Sequence, residues 1–197
     1  DETMVDLWLD QPSPGSVAAH SDRASIVTIG STAKSFWGGL RVGWVRADPP
    51  LIARLAGARA AVDLGTPVMD QLAAAELMRD DAQLLNERRA QLRVQRSALL
   101  EALAEHLPRW QPTVGSGGLS LWLRMPDPVS SALTATAPSY GVRLAAGPRF
   151  GVEGSFERYL RLPYAQSAEE LRRGVEAVAA AYATLARVDS ERAGFVL

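Results

Sequence analysis

A single helical stripe in the middle of the chain sets most of the terms for its fold. Over residues 81–107, Leu85, Leu92, Leu99, Leu103 and Leu107 recur on one face, as in an amphipathic helix with one side against a core. At about 1.5 Å per residue such a helix runs roughly 40 Å, long enough to lead from one domain to the next. Arg88, Arg89, Arg93 and Arg96 fall largely off the stripe and read as a solvated face.

The two flanks differ in texture. On the N-terminal side, residues 5–9 are apolar and fit a short strand or a helical turn. Residues 11–22 hold Pro12, Pro14 and Gly15 and read as a loop. Residues 25–30 are β-branched and bounded by turn residues, which predicts a buried strand. A polar, Gly-rich connection over 31–39 leads to a second strand over 40–46. Asp48-Pro49-Pro50 supplies a helix start, with helices expected over 51–62 and 66–79. Beyond Pro108 the pattern changes. Residues 115–125 alternate like a strand with one face on a core, and 129–140 read as a short helix closed by Gly141. Short strands follow over 142–146 and 159–162, then an amphipathic helix over 167–188. The expected organisation is an α/β segment over 1–80, a linking helix over 81–108 and a compact α+β unit over 109–197.

Composition narrows the chemistry. With 21 basic and 22 acidic residues among 197, there is no electrostatic footprint for nucleic acid. The absence of cysteine excludes disulfides, thiolate metal sites and cysteine nucleophiles. Only His20 and His106 are present, which argues against a histidine metal site. His20 reads as solvated, and His106 as a cation at a helix C-terminus. No apolar run approaches the roughly 18 residues of a membrane span, and no secretory signal is visible. The expectation is a cytoplasmic protein whose chemistry rests on Lys, Arg, Asp, Ser or a borrowed cofactor.

The informative segment is Gly30-Ser-Thr-Ala-Lys34-Ser-Phe-Trp-Gly-Gly-Leu-Arg41-Val-Gly-Trp44. A lysine set between two apolar strands is expected to be buried. Burial lowers the pKa of its amine and makes it nucleophilic towards a carbonyl. Ser31 and Arg41 flank it with a hydroxyl and a bidentate cation, a pair suited to a phosphate monoester. A lysine for an aldehyde, with Ser and Arg for a phosphate, describes pyridoxal phosphate. The alternative is an exposed loop with a solvated Lys34 and an Arg41 paired to a neighbour. Trp37 and Trp44 read as packing residues.

The string resembles the Schiff-base region of fold-type I pyridoxal-phosphate enzymes, the aspartate aminotransferase superfamily. Its Ser-x-x-Lys, followed seven residues later by Arg within Trp-Gly-Gly-Leu-Arg-x-Gly-Trp, is most similar to the aminotransferase-like domains of MocR/GntR-type regulators. The resemblance implies that Lys34 forms the Schiff base and that Ser31 and Arg41 hold the phosphate. It assigns Asp1, 33 residues before Lys34, to the pyridine nitrogen. Thr3 stands where the family has a Tyr that contacts the phenolic oxygen. Arg161, in Tyr159-Leu-Arg-Leu-Pro-Tyr164, resembles the small-domain Arg that grips a substrate α-carboxylate, with Arg143 and Arg149 as nearby alternatives. Gly147-Pro-Arg-Phe150 resembles the loop that precedes that strand.

The implied fold is the C-terminal part of a fold-type I transferase: the end of a large, mostly parallel-sheet domain, a linking helix and a small α+β domain. The implied function is a sensor that binds pyridoxal phosphate and an amino compound, controlling DNA through an upstream domain absent from this chain. The alternative is an aminotransferase moving an amino group between an amino acid and a 2-oxo acid. A homodimer is implied in both cases, and the isolated chain is expected to be inactive.

Overall fold

A computed structural model describes residues 1–20, 24–79 and 81–193. Ser21 and Asp22, at the end of the loop expected over 11–22, lie outside the described residues, as do Asp80 and residues 194–197. Two compact units emerge. One comprises Asp1–Ala90 with Ser116–Gly118, and the other comprises Gln91–Gly115 with Leu119 onward.

In the first unit the apolar stretch at the start forms a 3-10 turn over Val5–Leu7. Trp8 then bridges to Gly117, and Leu7 and Leu9 are fully buried. Strands β1 (Thr28–Ser31) and β2 (Gly43–Arg46) pair antiparallel, from Thr28 opposite Arg46 to Ser31 opposite Gly43. Of the mostly parallel sheet implied for the large domain, this segment holds that antiparallel pair, and every strand pair among the described residues is antiparallel. A parallel pair needs a long crossover. Here the connection folds back through α1 (Thr32–Ser35) and a 3-10 turn at Gly38–Leu40. Helix α2 (Pro49–Arg59) begins on two prolines, as read from the sequence. Asp48 does not cap its amides; its carboxylate instead accepts a hydrogen bond from the Ser25 hydroxyl at 3.3 Å. Helix α3 (Val68–Arg79) follows.

Helix α4 (Ala82–His106) contributes to both units. All five leucines of its stripe are buried, each contributing on the order of 1.5–3 kcal/mol in water-to-core transfer. Arg89 departs from the reading of a solvated arginine face, being only 9% exposed. It stands four residues after Leu85 and three before Leu92, so helical geometry places it on the stripe.

The second unit is built on an antiparallel sheet in the order β3 (Gln111–Thr113), β4 (Ser120–Arg124), β6 (Tyr159–Pro163), β5 (Ala145–Ala146). Strand β3 escapes sequence reading because it is short and contains Pro112, which is tolerated at the sheet edge. Strand β4 starts later than expected, since Ser116–Gly118 bond the first unit: Leu9 N–H donates to Ser116 O and Gly118 N–H to Leu7 O. Alternation then holds. Leu121, Leu123, Leu160 and Leu162 are buried on one face, leaving Ser120, Trp122, Tyr159 and Arg161 on the other. Helix α5 (Ser130–Thr136) passes into a 3-10 turn that Gly141 closes with φ 78°. Helix α6 (Ala168–Ala193) follows and places Leu171, Val175 and Val178 in the core.

Tyr182 on α6 stands edge-on to Trp110 and donates its hydroxyl to the Asp127 carboxylate. Burial, aided by that hydrogen bond and the Asp127 charge, pushes the phenol up to about 12. The folded protein thus favours the neutral phenol, and this contribution is lost as pH rises from about 10 towards about 12. Tyr182→Phe should flatten the stability–pH curve across that window, measured by denaturant unfolding at successive pH values. An unchanged slope would remove Tyr182 from the titration.

Candidate functional site

The site grows out of the end of β1. Ser31 is the last residue of the strand and the N-cap of α1, its hydroxyl accepting the Ala33 N–H at 3.1 Å. The Thr32 hydroxyl donates to Val42 O at 2.9 Å, and the Ser35 hydroxyl donates to the Asp6 carboxylate at 2.9 Å. Thr32 and Ser35 are both buried, so the turn is pinned on the face they share.

Lys34 lies on the other side of that turn and is exposed. The expectation that flanking strands would bury it is therefore corrected. β1 and β2 pair with each other and the connection loops away from their ladder, so within α1 Thr32 and Ser35 face inward and Lys34 does not. Lys34 is also the one lysine of the chain, the other 20 of its 21 basic residues being arginine. Arginine stays protonated in proteins, so Lys34 carries the one side-chain amine these residues offer to a carbonyl. That count is a sequence signal stronger than burial.

Arg41 follows the 3-10 turn and adopts a left-handed backbone, φ 54°. For a non-glycine residue this costs on the order of 1 kcal/mol. The conformation places Arg41 in the lining of a cleft of about 620 Å³ that Thr3, Gly30, Ser31, Ala33 and Trp44 also line. Trp44 stands opposite Gly30 in the β1–β2 register, and a Cβ at Gly30 would lie 2.1 Å from the Trp44 indole. Glycine at position 30 is thus what admits that ring to the cleft wall. A packing role alone is incomplete for Trp44, since the residue is 42% exposed. Trp37, read the same way, is 66% exposed and does not serve a core.

Glu2 N–H donates to Ile29 O at 2.8 Å, holding the first residues along β1. The exposed Asp1 carboxylate accepts the Thr3 N–H at 2.8 Å. The structure therefore gathers Thr3, Ser31 and Arg41 on one cleft, with Lys34 on the adjoining turn and Asp1 bonded to Thr3.

Asp6 and Arg89 escape sequence reading. The Arg89 Nε–H donates to Asp6 O at 2.8 Å, and its guanidinium lies 4.3 Å from the Trp8 ring centre. Ser35, Asp6 and Arg89 thus tie the lysine-bearing turn to the first part of α4. The signal available is the Leu85–Arg89–Leu92 spacing.

Arg161 belongs to the second unit and is exposed, although its strand reads as apolar. Leu160 and Leu162 take the buried face, and strand alternation turns Arg161 to the open one. Its Nε–H donates to the Ser120 hydroxyl at 3.0 Å. The Glu157 carboxylate, four residues before Arg161, is engaged elsewhere, accepting from the Ser131 N–H and hydroxyl. Arg143 and Arg149 are exposed as well.

The cleft's donor set, a hydroxyl and a guanidinium with a primary amine on the next turn, fits the phosphate and aldehyde of pyridoxal phosphate. Among the described residues no cluster of His, Asp or Glu is suited to a metal ion. No helix among them is long and apolar enough to cross a membrane.

Residues 1–178 match the model of the family described as aminotransferase class I and II. Over 182 residues the chain is 31% identical to the uncharacterised HTH-type transcriptional regulator YdfD of Bacillus subtilis, covering 89% of this chain and 37% of that protein. Over 171 residues it is 29% identical to the 2-aminoadipate transaminase of Thermus thermophilus, covering 84% and 43%. The chain thus spans about two fifths of these relatives' length. The crystal structure of LysN, an α-aminoadipate aminotransferase from Thermus thermophilus complexed with N-(5'-phosphopyridoxyl)-L-leucine, superposes with a TM-score of 0.87 at 26% identity. That match covers 94% of this chain and 50% of LysN. The fold is that of the fold-type I aminotransferases, and HTH-type regulators and aminotransferases alike carry such a domain. By family match and fold together, this chain belongs to the aminotransferase class I and II family.

Proposed function

We propose that the chain is the ligand-sensing part of a MocR/GntR-type regulator, in which pyridoxal phosphate on Lys34 reports an amino compound. The observation that carries this reading is the meeting of Thr3, Ser31 and Arg41 on one cleft beside the turn that presents Lys34. Bound there, pyridoxal phosphate supplies an aldehyde and an electron-withdrawing ring. Ser31 and Arg41 would hold its phosphate, Asp1 would keep the pyridine nitrogen protonated, and Thr3 would serve the phenolic oxygen. A Thr hydroxyl is shorter than the family's Tyr, which weakens the last contact. Lys34 would hold the aldehyde carbon, and its amine is the group of this turn that could accept and return a proton. Arg161 receives the ligand's carboxylate.

In this reading residues 1–80 complete the large domain, 81–108 link it to the small one, and 109–197 form the small domain. The working protein is a cytoplasmic homodimer that meets DNA through a domain upstream of these residues. The 31% identity to a regulator favours the sensor. The 29% identity to a transaminase supports the second reading, an enzyme passing an amino group to a 2-oxo acid. Incubating the full-length protein with an amino-acid panel and a 2-oxo acid separates them. The sensor shifts its visible spectrum without forming a new amino acid, whereas sustained product formation assigns the enzyme.

A further inference from the structure

We infer that Ser120 and Phe150 are positioning residues that fix which edge of the Arg161 guanidinium meets the ligand's carboxylate. The inference rests on the proposed carboxylate role of Arg161 and adds the reason its geometry is set before a ligand arrives. A guanidinium presents two edges able to pair with a carboxylate, one formed by Nε and a terminal nitrogen, the other by the two terminal nitrogens. Nε of Arg161 donates to the Ser120 hydroxyl at 3.0 Å. The side edge is thereby engaged by the protein, and the Nη1–Nη2 edge remains as the pair for a carboxylate.

The strand register explains why Ser120 can do this. Trp122 stands directly across the ladder from Arg161 and Ser120 across from Pro163, so Ser120 and Arg161 are diagonal neighbours on one sheet face. Phe150 completes the seat, its ring centre 5.7 Å from the guanidinium carbon. That ring is itself held edge-on by Trp122 at 5.6 Å, and Trp122 stacks on Tyr159 at 5.4 Å. The loop between Phe150 and β6 closes tightly behind them: a Cβ at Gly147 would lie 2.1 Å from Phe156 O. Arg161 is exposed, and an exposed, unheld arginine loses rotamer freedom when it binds. A guanidinium already seated between a hydroxyl and a ring loses less.

The test is equilibrium binding of amino acids to the intact protein loaded with pyridoxal phosphate, followed by spectral titration. Ser120→Ala should weaken binding about 3- to 10-fold with cofactor content unchanged. Ser120→Thr, which keeps the hydroxyl, should recover most of that loss. In an Arg161→Lys background, which lacks an Nε–H edge, Ser120→Ala should add nothing, so the two effects are non-additive. If Arg161→Ala weakens binding while Ser120→Ala binds as wild type, the positioning inference is overturned and the carboxylate role stands. If Arg161→Ala itself leaves binding unchanged, the reading beneath it fails and takes the inference with it.

Discussion

Arg161→Ala is expected to weaken amino-acid binding by the full-length protein about 30- to 1000-fold while leaving pyridoxal phosphate in place. An Arg fork gives a carboxylate two charge-assisted hydrogen bonds, together about 2–4 kcal/mol. Lysine at position 161 should recover only part of this, because a point charge lacks the bidentate geometry. The exposure of Arg161 on the open sheet face makes the truncation readable, since the leucines on the buried face are untouched. Titration with a panel of amino acids, following the visible spectrum, measures the effect. A variant that keeps amino-acid affinity but loses the cofactor would move the carboxylate role to Arg143 or Arg149.

Arg41 should produce an equally large effect on the other ligand. Arg41→Ala is expected to weaken pyridoxal phosphate binding by about 30- to 1000-fold, the same 2–4 kcal/mol for a lost charge-assisted pair. Arg41→Gly separates binding from folding. Its left-handed backbone, φ 54°, suits glycine better than arginine, and the added unfolded-state freedom of glycine offsets that gain. Arg41→Gly should therefore stay within about 1 kcal/mol of wild-type stability yet lose the cofactor as Arg41→Ala does. Cofactor affinity by spectral titration and stability by denaturant melts provide the two readings. An Arg41→Gly protein that binds pyridoxal phosphate normally would take Arg41 out of the phosphate site.

Much of this is legible in the sequence because it follows from periodicity and turn chemistry. The five-leucine stripe of α4 is buried as read, and the prolines after Asp48 open α2. The alternation after Pro108 yields the β4 face of Leu121 and Leu123. The motif from Ser31 to Arg41 already points to the family. What fails are inferences that need to know which neighbour a segment pairs with. Apolar flanking strands suggest a buried Lys34, but those strands pair with each other and turn it outward. The charge of Arg89 suggests solvent, although its spacing from Leu85 and Leu92 puts it on the buried stripe against Trp8. Trp44 reads as core packing, although the glycine opposite it at position 30 admits the ring to the cleft.

The roles of Ser120 and Asp6 are not readable in the same sense. Both depend on partners far along the chain, Ser120 on Arg161 and Asp6 on Arg89 and Ser35. No local pattern marks a serine or aspartate for such a partner. Only strand register and tertiary packing bring them together.

Whether Lys34 holds pyridoxal phosphate decides the proposed function. Borohydride reduction of the full-length protein with its cofactor, followed by peptide mapping, tests it directly. Within these 197 residues Lys34 carries the only side-chain amine, so a pyridoxyl group on any other lysine would have to lie outside them. The expected result is one pyridoxyl-modified peptide spanning residues 24–41, bearing the label on Lys34, and loss of the wild-type visible band in Lys34→Ala. A label on another amine, or a Lys34→Ala protein that keeps the wild-type spectrum, would contradict it.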